Sequence, residues 1–233
     1  MCSTNCNKSE LEILDSLEKI ELNKKKDTLQ ISVLKKSNLI NVSELNSEIF
    51  VDLKYAGTDN FMKMKLYSKL KNAFLQKDVA ERLSKCQDYL SKLYPNLHLL
   101  VYDAVRPLSI QQKMWIALDT IPISERTKFV SNPANGSIHN YGAAVDLTIC
   151  NEKQVPLDMG AGYDDIREIA YPRLEEKYLA TGELTLKQIE NRKLLRKVME
   201  SQQFQNIATE WWHFNACSRN EAKEKYIILE SEY

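Results

Sequence analysis

The stretch "TEWWHFN", residues 209–215, places one carboxylate and one imidazole among three large aromatic side chains. The chain has only three histidines, so His213 is one of few side chains that could bind a transition metal. Glu210 precedes it by three residues. A single histidine in an apolar segment is more often a hydrogen-bonded core residue. Together with a nearby carboxylate, it also suits a metal ligand beside a general base.

A second stretch with chemical potential is "SIHNYGAAVDLTI", residues 137–149. His139 lies in a loop flanked by glycines, and Asp146 lies on the strand that follows. An isolated Asp146 could face solvent on the sheet or accept hydrogen bonds from loop amides. Burying its charge in mid-strand is costly unless a partner offsets it. A metal ion is one such partner.

Taken together, His139, Asp146 and His213 form a zinc-hydrolase ligand set, because two histidines and one carboxylate leave a fourth position open. Glu210 then supplies the general base beside the metal. One geometric condition applies, since residues three apart in a regular strand point to opposite faces. Glu210 and His213 can share a site only if a bulge intervenes or if Glu210 lies just before the regular strand.

The elements that position these residues follow from periodicity and turn signals. Helices are predicted at 78–94, at 109–121 with a capping box from Ser109 and Gln112, and at 184–201. Strands are predicted at 97–105, 143–149 and 210–215. The elements lack a regular strand–helix alternation, which favours an α+β fold: a small antiparallel sheet flanked by helices, with the zinc site on the sheet. The first helix is expected to bury one face made of Val79, Leu83, Cys86, Leu90 and Leu93.

Composition limits the classes of protein that remain. The chain has 32 basic and 32 acidic residues among 233, so nothing indicates nucleic-acid binding. No stretch approaches the roughly 18 apolar residues of a transmembrane segment. Residues 1–45 are polar and lysine-rich and are predicted to form a flexible extension, with a single domain at 46–233. The sequence carries no signal for an oligomeric state.

The start of the chain, "MCSTNCNKSE", lacks the apolar core of a signal peptide. A cytoplasmic location is the default expectation. Cys2 before a short polar tether also resembles the mature end of a bacterial lipoprotein, which would put the protein in the cell envelope or periplasm behind a missing leader. The five cysteines are odd in number and form no Cys-x-x-Cys pair, so they are expected to be reduced and mostly structural.

Four blocks carry a resemblance to one family. "SIHNYGAAVD" matches the Ser-x-His-x-x-Gly-x-Ala-x-Asp motif of zinc D-Ala-D-Ala peptidases, and "EWWHF" matches their Glu-x-x-His motif. "VDLKYAGTDNF" (51–61) and "YDAVRP" (102–107) narrow the match. The chain from about residue 51 to 215 therefore resembles the D-alanyl-D-alanine dipeptidase family, the vancomycin-resistance type of zinc dipeptidase. Gly57 and the lysine-rich stretch after Phe61 depart from the family's usual sequence. These departures concern loops, so they affect the expected substrate specificity more than the expected reaction.

The resemblance implies a role for each matching position. One zinc ion per chain is held by His139, Asp146 and His213, and Glu210 is the base. Arg106, in "AVRP", stabilises the transition state. The expected reaction is the hydrolysis of D-alanyl-D-alanine to two D-alanines, with this small dipeptide as the expected partner.

Three further residues are expected to bind the substrate on the same grounds. Ser137 helps to hold the carboxylate of the dipeptide, while Tyr55 and Asp164 receive its free ammonium group. Two other functions stay open at this point: a D,D-carboxypeptidase that acts on longer cell-wall peptides, and a non-catalytic zinc-binding module. The first would cleave N-acylated substrates, and the second would bind metal without turnover. A purely structural α+β domain without metal is the remaining alternative.

Overall fold

The structure, a computed structural model, describes residues 15–22, 37–127 and 129–232. Residues 15–22 are helical and exposed. From residue 37 onward, the strands described are β1 (Leu39–Asn41), β2 (Phe50–Val51), β3 (Phe74–Gln76), β4 (Leu97–Asp103), β5 (Ala144–Asn151), β6 (Gln205–Asn206) and β7 (His213–Asn215). The α-helices are α1 (Val42–Leu45), α2 (Lys77–Leu93), α3 (Leu108–Ala117), α4 (Ile123–Arg126), α5 (Glu175–Ala180), α6 (Leu186–Glu200) and α7 (Arg219–Lys225).

A five-stranded sheet with the order β2–β4–β5–β7–β6 lies at the centre, and β1 pairs separately with β3. The mixture of sheets and helices agrees with the α+β class. The expectation of an antiparallel sheet is wrong at one edge, because β2 runs parallel to β4 while the other pairs are antiparallel. The connection from Val51 to Leu97 includes β3 and α2, and a crossover of that length lets the chain return in the same direction.

Helix α2 covers β4 with the apolar face that its periodicity predicts. Val79, Leu83, Cys86 and Leu90 are all fully buried in the core. Leu93, at the last position of the helix, is exposed instead. The predicted face is therefore confirmed except at its C-terminal end.

Helix α3 begins differently from the prediction. Its N-cap is Pro107, and no side chain caps the first turn, so the expected capping box of Ser109 and Gln112 does not form. The backbone N–H groups of Leu108 and Ser109 instead donate to the carbonyls of Leu229 and Glu230, at 2.8 and 2.9 Å. Because another segment of the chain accepts these bonds, a side-chain cap is unnecessary. By contrast, α6 begins with a capping box of Thr185 and Gln188.

The segment at residues 226–232, the C-terminal strap, crosses this end of the fold. Its residue Leu229 is buried and donates its N–H to the carbonyl of Asn140 at 2.8 Å. Its residue Glu232 accepts hydrogen bonds from the backbone N–H groups of residues 68–70 and from the hydroxyl of Ser68. The strap thereby connects three loops that are distant in sequence.

The packed part of the chain begins before residue 46. Val42 is almost completely buried, and β1 pairs with β3. The division into a 1–45 extension and a 46–233 domain stays a prediction, and Cys2 and Cys6 lie outside the described residues. Cys86, Cys150 and Cys217 are free thiols. Among the residues described, no helix has the length and apolar character needed to span a membrane.

Candidate active site

Asp146 and His213 are brought together by the sheet itself. They are directly opposite each other where β5 pairs with β7, so their side chains project from the same face. Residues of β5 are buried on both faces, and Asp146 is only 2% exposed. The alternative of a solvated aspartate is therefore excluded. Asp146 Oδ1 lies 2.9 Å from His213 Nδ1.

His139 reaches the same place from a 3-10 turn, Ile138–Tyr141. Ser137 caps this turn, because its hydroxyl oxygen accepts a hydrogen bond from the backbone N–H of His139. The side-chain oxygen of Asn140 in turn accepts a hydrogen bond from the backbone N–H of Ser137. The turn ends at Gly142, which adopts a left-handed φ of 65°. A Cβ there would meet a methyl of Leu39 at 2.6 Å, so only glycine allows the chain to pass into β5.

The three side chains present a triangle of metal-binding atoms. His139 Nε2 lies 3.1 Å from His213 Nδ1 and 3.3 Å from Asp146 Oδ1. Zinc–ligand distances of about 2.0–2.1 Å place tetrahedral donor atoms roughly 3.3–3.4 Å apart, so the 2.9–3.3 Å edges of this triangle suit the ion. Within the described residues, this is the group found that could hold a metal.

The tautomers of both imidazoles agree with a metal site. His139 Nδ1 lies 2.6 Å from the carbonyl of Ala104, and His213 Nε2 lies 2.9 Å from Asn215 Oδ1. Each of these nitrogens therefore carries the proton that it donates to an oxygen. In the neutral form of each ring, the other nitrogen presents a lone pair to the triangle, which is the arrangement expected of metal-bound histidines.

The charges of the site are strongly coupled. Burial opposes ionisation of Asp146, but His139 and His213 outweigh it and hold the pKa of Asp146 below its ordinary range. Burial works to lower the pKa of His213, yet its bond to Asp146 and the carboxylate charge raise it to about 9. The three atoms of the triangle can each accept a proton or bind a metal. Because they lie within 3.3 Å of one another, they favour a shared cation, either a proton or a metal ion.

Glu210 satisfies the geometric condition set by the sequence, because β7 begins at His213 and Glu210 lies before it. Its Oε2 is 3.8 Å from His213 Nδ1, and its backbone carbonyl accepts a bond from Asn206 Nδ2 at 2.8 Å. The side chain is one-third exposed and lines the cavity at the triangle. Burial raises the pKa of Glu210, which favours proton transfer near neutral pH.

Arg106 contacts the triangle at Asp146. Its guanidinium donates to Asp103 Oδ2 through Nε at 2.8 Å, and Nη2 lies 2.7 Å from the same oxygen. Nη2 is also 3.4 Å from Asp146 Oδ2, and the guanidinium stacks over the ring of Tyr55. The position of Arg106 is therefore fixed by a fully buried carboxylate and an aromatic face.

Several supporting residues lie within or beside the motif blocks, but the sequence analysis assigned them no role. Asn140 donates to the carbonyl of Arg106 at 2.7 Å, and Arg106 in turn donates its N–H to the carbonyl of His139. Tyr163 donates its hydroxyl to Asp146 Oδ2 at 3.2 Å. Asp103 and Asn215 were likewise missed, although both are polar residues at strand ends next to motif residues. That placement is the signal that could have found them.

A second polar group lies further along the cavity. The hydroxyl of Tyr55 donates to Asp164 Oδ1 at 3.2 Å, and the backbone N–H of Phe61 donates to its Oδ2 at 3.4 Å. Burial, followed by the negative charge of Asp146, raises the pKa of Asp164 to about 8. All eight residues predicted for the site line one cavity of about 190 Å³. This volume is below the roughly 300–1,000 Å³ of pockets for drug-sized ligands, so a small substrate fits best.

These features suit a metal-dependent hydrolase: three atoms that could bind a metal, a carboxylate 3.8 Å from one of them, and a buried arginine 3.4 Å from Asp146. Comparison with known proteins then gives the family. The Peptidase_M15 family, described as D-Ala-D-Ala dipeptidase, matches residues 35–230. The D-alanyl-D-alanine dipeptidase of Escherichia coli K12 is 31% identical over 178 residues, covering 76% of this chain and 84% of that protein. The chain belongs to this family of zinc metallopeptidases.

Two further comparisons are more distant. The D-alanyl-D-alanine dipeptidase of Enterococcus faecalis is 30% identical over 177 residues, which cover 70% of this chain and 83% of that protein. A solved structure of a VanY D,D-pentapeptidase variant with Zn(II), from a VanB-type vancomycin-resistance cassette, is 15% identical with a TM-score of 0.34. It covers 71% of this chain and 87% of its own.

Proposed function

We propose that the protein is a zinc-dependent dipeptidase that hydrolyses D-alanyl-D-alanine to two D-alanines. The observation that carries the proposal is the triangle formed by His139, Asp146 and His213, with Glu210 3.8 Å from one of its atoms. These three residues would hold one zinc ion per chain, which would supply an acidified water and a Lewis acid for the carbonyl. Family membership supports the same reaction.

The protein's own groups carry the remaining chemistry. Glu210 accepts a proton from the attacking water and delivers it to the leaving amine, because it lines the cavity beside the triangle and its pKa is raised. Arg106 stabilises the oxyanion that develops on the carbonyl, since its fixed guanidinium needs no rearrangement as charge appears. The aromatic neighbours of His213 are buried and keep this part of the site dry, which strengthens both interactions.

Two groups select a free dipeptide. Tyr55 and Asp164 receive the substrate's ammonium group, and arrival of that cation favours the ionised form of Asp164. Ser137 offers its hydroxyl to the substrate's carboxylate while its oxygen also caps the turn of His139. An N-acylated peptide has no ammonium charge, so it leaves Asp164 without a partner.

The test is to incubate the purified protein with D-Ala-D-Ala, with L-Ala-L-Ala and with N-acetyl-D-Ala-D-Ala, each with and without a chelator. We expect release of D-alanine from the free D,D-dipeptide alone, and its loss on chelation. Equal cleavage of the acetylated substrate would make the protein a D,D-carboxypeptidase. Stoichiometric zinc without turnover of any substrate would make it a non-catalytic binding module.

A further inference from the structure

The cavity has an uneven distribution of charge along its length. Asp164 and Glu210 lie toward one end, where a neighbouring groove shares both side chains. Ser137, Asn215 and Arg219 line the cavity but not that neighbouring groove, and none of the three carries a negative charge. A zwitterionic dipeptide has an ammonium group at one end and a carboxylate at the other, so it matches this asymmetry in one orientation.

The known residues of the site do not provide a free positive charge for that carboxylate. Arg106 is buried, and its guanidinium already contacts the carboxylates of Asp103 and Asp146. Ser137 is neutral, and its oxygen already accepts the His139 N–H. A carboxylate that loses water contacts on entering the cavity needs a charged partner to offset the cost.

Arg219 has the properties that are missing. It is exposed, lines the same cavity, and forms no ion pair with any side chain of the described residues. It is the first residue of α7, which follows β7 closely. Ser218 caps α7 reciprocally with Glu221, and the buried residue Ala222 anchors the helix. Arg219 is therefore placed by the same strand that carries His213.

We propose that Arg219 binds the carboxylate of the dipeptide and so determines specificity for substrates with a free C-terminus. The inference rests on the proposed function and assigns a residue that its motifs do not contain. The guanidinium forms a charge-assisted pair with the carboxylate, alongside the neutral bond from Ser137. The dipeptide then spans the cavity from Asp164 to Arg219, with the scissile carbonyl between Arg106 and Glu210.

The first experiment compares D-Ala-D-Ala with its C-terminal amide in the parent and in Arg219→Ala. Loss of a charged hydrogen bond is expected to raise KM for the dipeptide roughly tenfold or more, while kcat changes little. KM for the amide should stay the same, because that substrate has no carboxylate for Arg219 to bind. Lys223→Ala removes an equal charge from the same helix and serves as the matched control, with no change expected.

A second measurement separates this inference from the proposed function. Calorimetry with the zinc-loaded Glu210→Gln protein reports binding of the dipeptide and of its amide without turnover. Adding Arg219→Ala to that protein should weaken binding of the dipeptide by a similar factor and leave the amide unchanged. Equal effects on both ligands, or an effect no larger than that of Lys223→Ala, would overturn the role of Arg219. If the parent binds the dipeptide in an Arg219-dependent way but does not hydrolyse it, only the proposed dipeptidase activity is overturned.

Discussion

The sheet-borne half of the site and its loop-borne half are held in place by different interactions. Asp146 and His213 are fixed by the backbone hydrogen bonds between β5 and β7. His139 lies on a 3-10 turn and Arg106 on a loop. They are positioned by individual hydrogen bonds: His139 donates to the carbonyl of Ala104, Arg106 donates to Asp103, and Asn140 donates to the carbonyl of Arg106. The first half is thus supported by many bonds that no single substitution removes. The second half depends on a few side chains, so single substitutions are expected to misplace it.

The largest effect tests whether both halves contribute to one metal site. We expect His213→Ala and His139→Ala each to lose zinc and all activity, because two remaining ligands do not hold the ion. Elemental analysis of the purified variants measures the metal. His98→Gln changes the third histidine, which lies on β4 and contacts the carbonyl of Glu48, so this control should keep its zinc. Full zinc in either ligand variant would remove that residue from the ligand set.

The next effect concerns Glu210, which lies just before β7, the strand that carries His213. Glu210→Gln keeps the shape of the side chain but cannot take a proton, so dipeptide hydrolysis should fall by roughly 10²- to 10⁴-fold. Zinc content and thermal stability should match the parent. Hydrolysis close to the parent rate would remove the base from the mechanism. Loss of zinc would instead make Glu210 a ligand or a support of one.

Arg106 tests the chemistry of the loop-borne half. Arg106→Ala should lower kcat by roughly 10²- to 10³-fold, the scale found for removal of an oxyanion donor, with a smaller change in KM. Steady-state kinetics on D-Ala-D-Ala separates the two parameters. Arg106→Ala leaves the buried carboxylate of Asp103 without a cation and so also destabilises the fold. Arg106→Lys keeps a positive charge beside Asp103, should fold normally, and should recover part of the rate. A rise in KM at constant kcat would mean that Arg106 binds only the ground state.

The smallest effect sharpens the comparison between the halves directly. Asn140→Ala removes bonds to Arg106 and Ser137, so the free energy of unfolding should fall by about 1–3 kcal/mol and kcat should fall roughly tenfold. Chemical denaturation and kinetics measure both. Thr148→Val, on β5, is the matched change in the sheet-borne half. The Thr148 hydroxyl has no partner among the described residues, so neither stability nor kcat should fall. Equal losses in the two variants would contradict the comparison.

The strands that carry the sheet-borne half could be predicted because their signals are local. Alternation places Asp146 in a strand, and the aromatic run marks the neighbourhood of His213. The motifs also brought Arg106 and His139 to the site by resemblance. What holds those two residues could not be predicted, since Asn140, Asp103 and Leu229 act through contacts between segments far apart in the chain. No periodic pattern records such contacts.

The fold shows the same division. The buried face of α2 followed from spacing at Val79, Leu83, Cys86 and Leu90, and the structure confirms it. The start of α3 was predicted wrongly because its first N–H groups are satisfied by the strap and not by Ser109. The parallel pairing of β2 with β4 could not be predicted either, because a strand of two residues has no periodic pattern from which its direction could be inferred.

The C-terminal strap has a consequence for the order in which the protein is made. Leu229 bonds to Asn140, and Leu229 and Glu230 accept the first N–H groups of α3, beside Arg106. During translation these strap residues leave the ribosome after every residue of the site. A growing chain can pair β4 with β5 early, but the turn of His139 and the start of α3 keep unmet hydrogen bonds until the strap arrives. The loop-borne half of the site, unlike the sheet-borne half, therefore depends on a segment that is synthesised after all of its own residues.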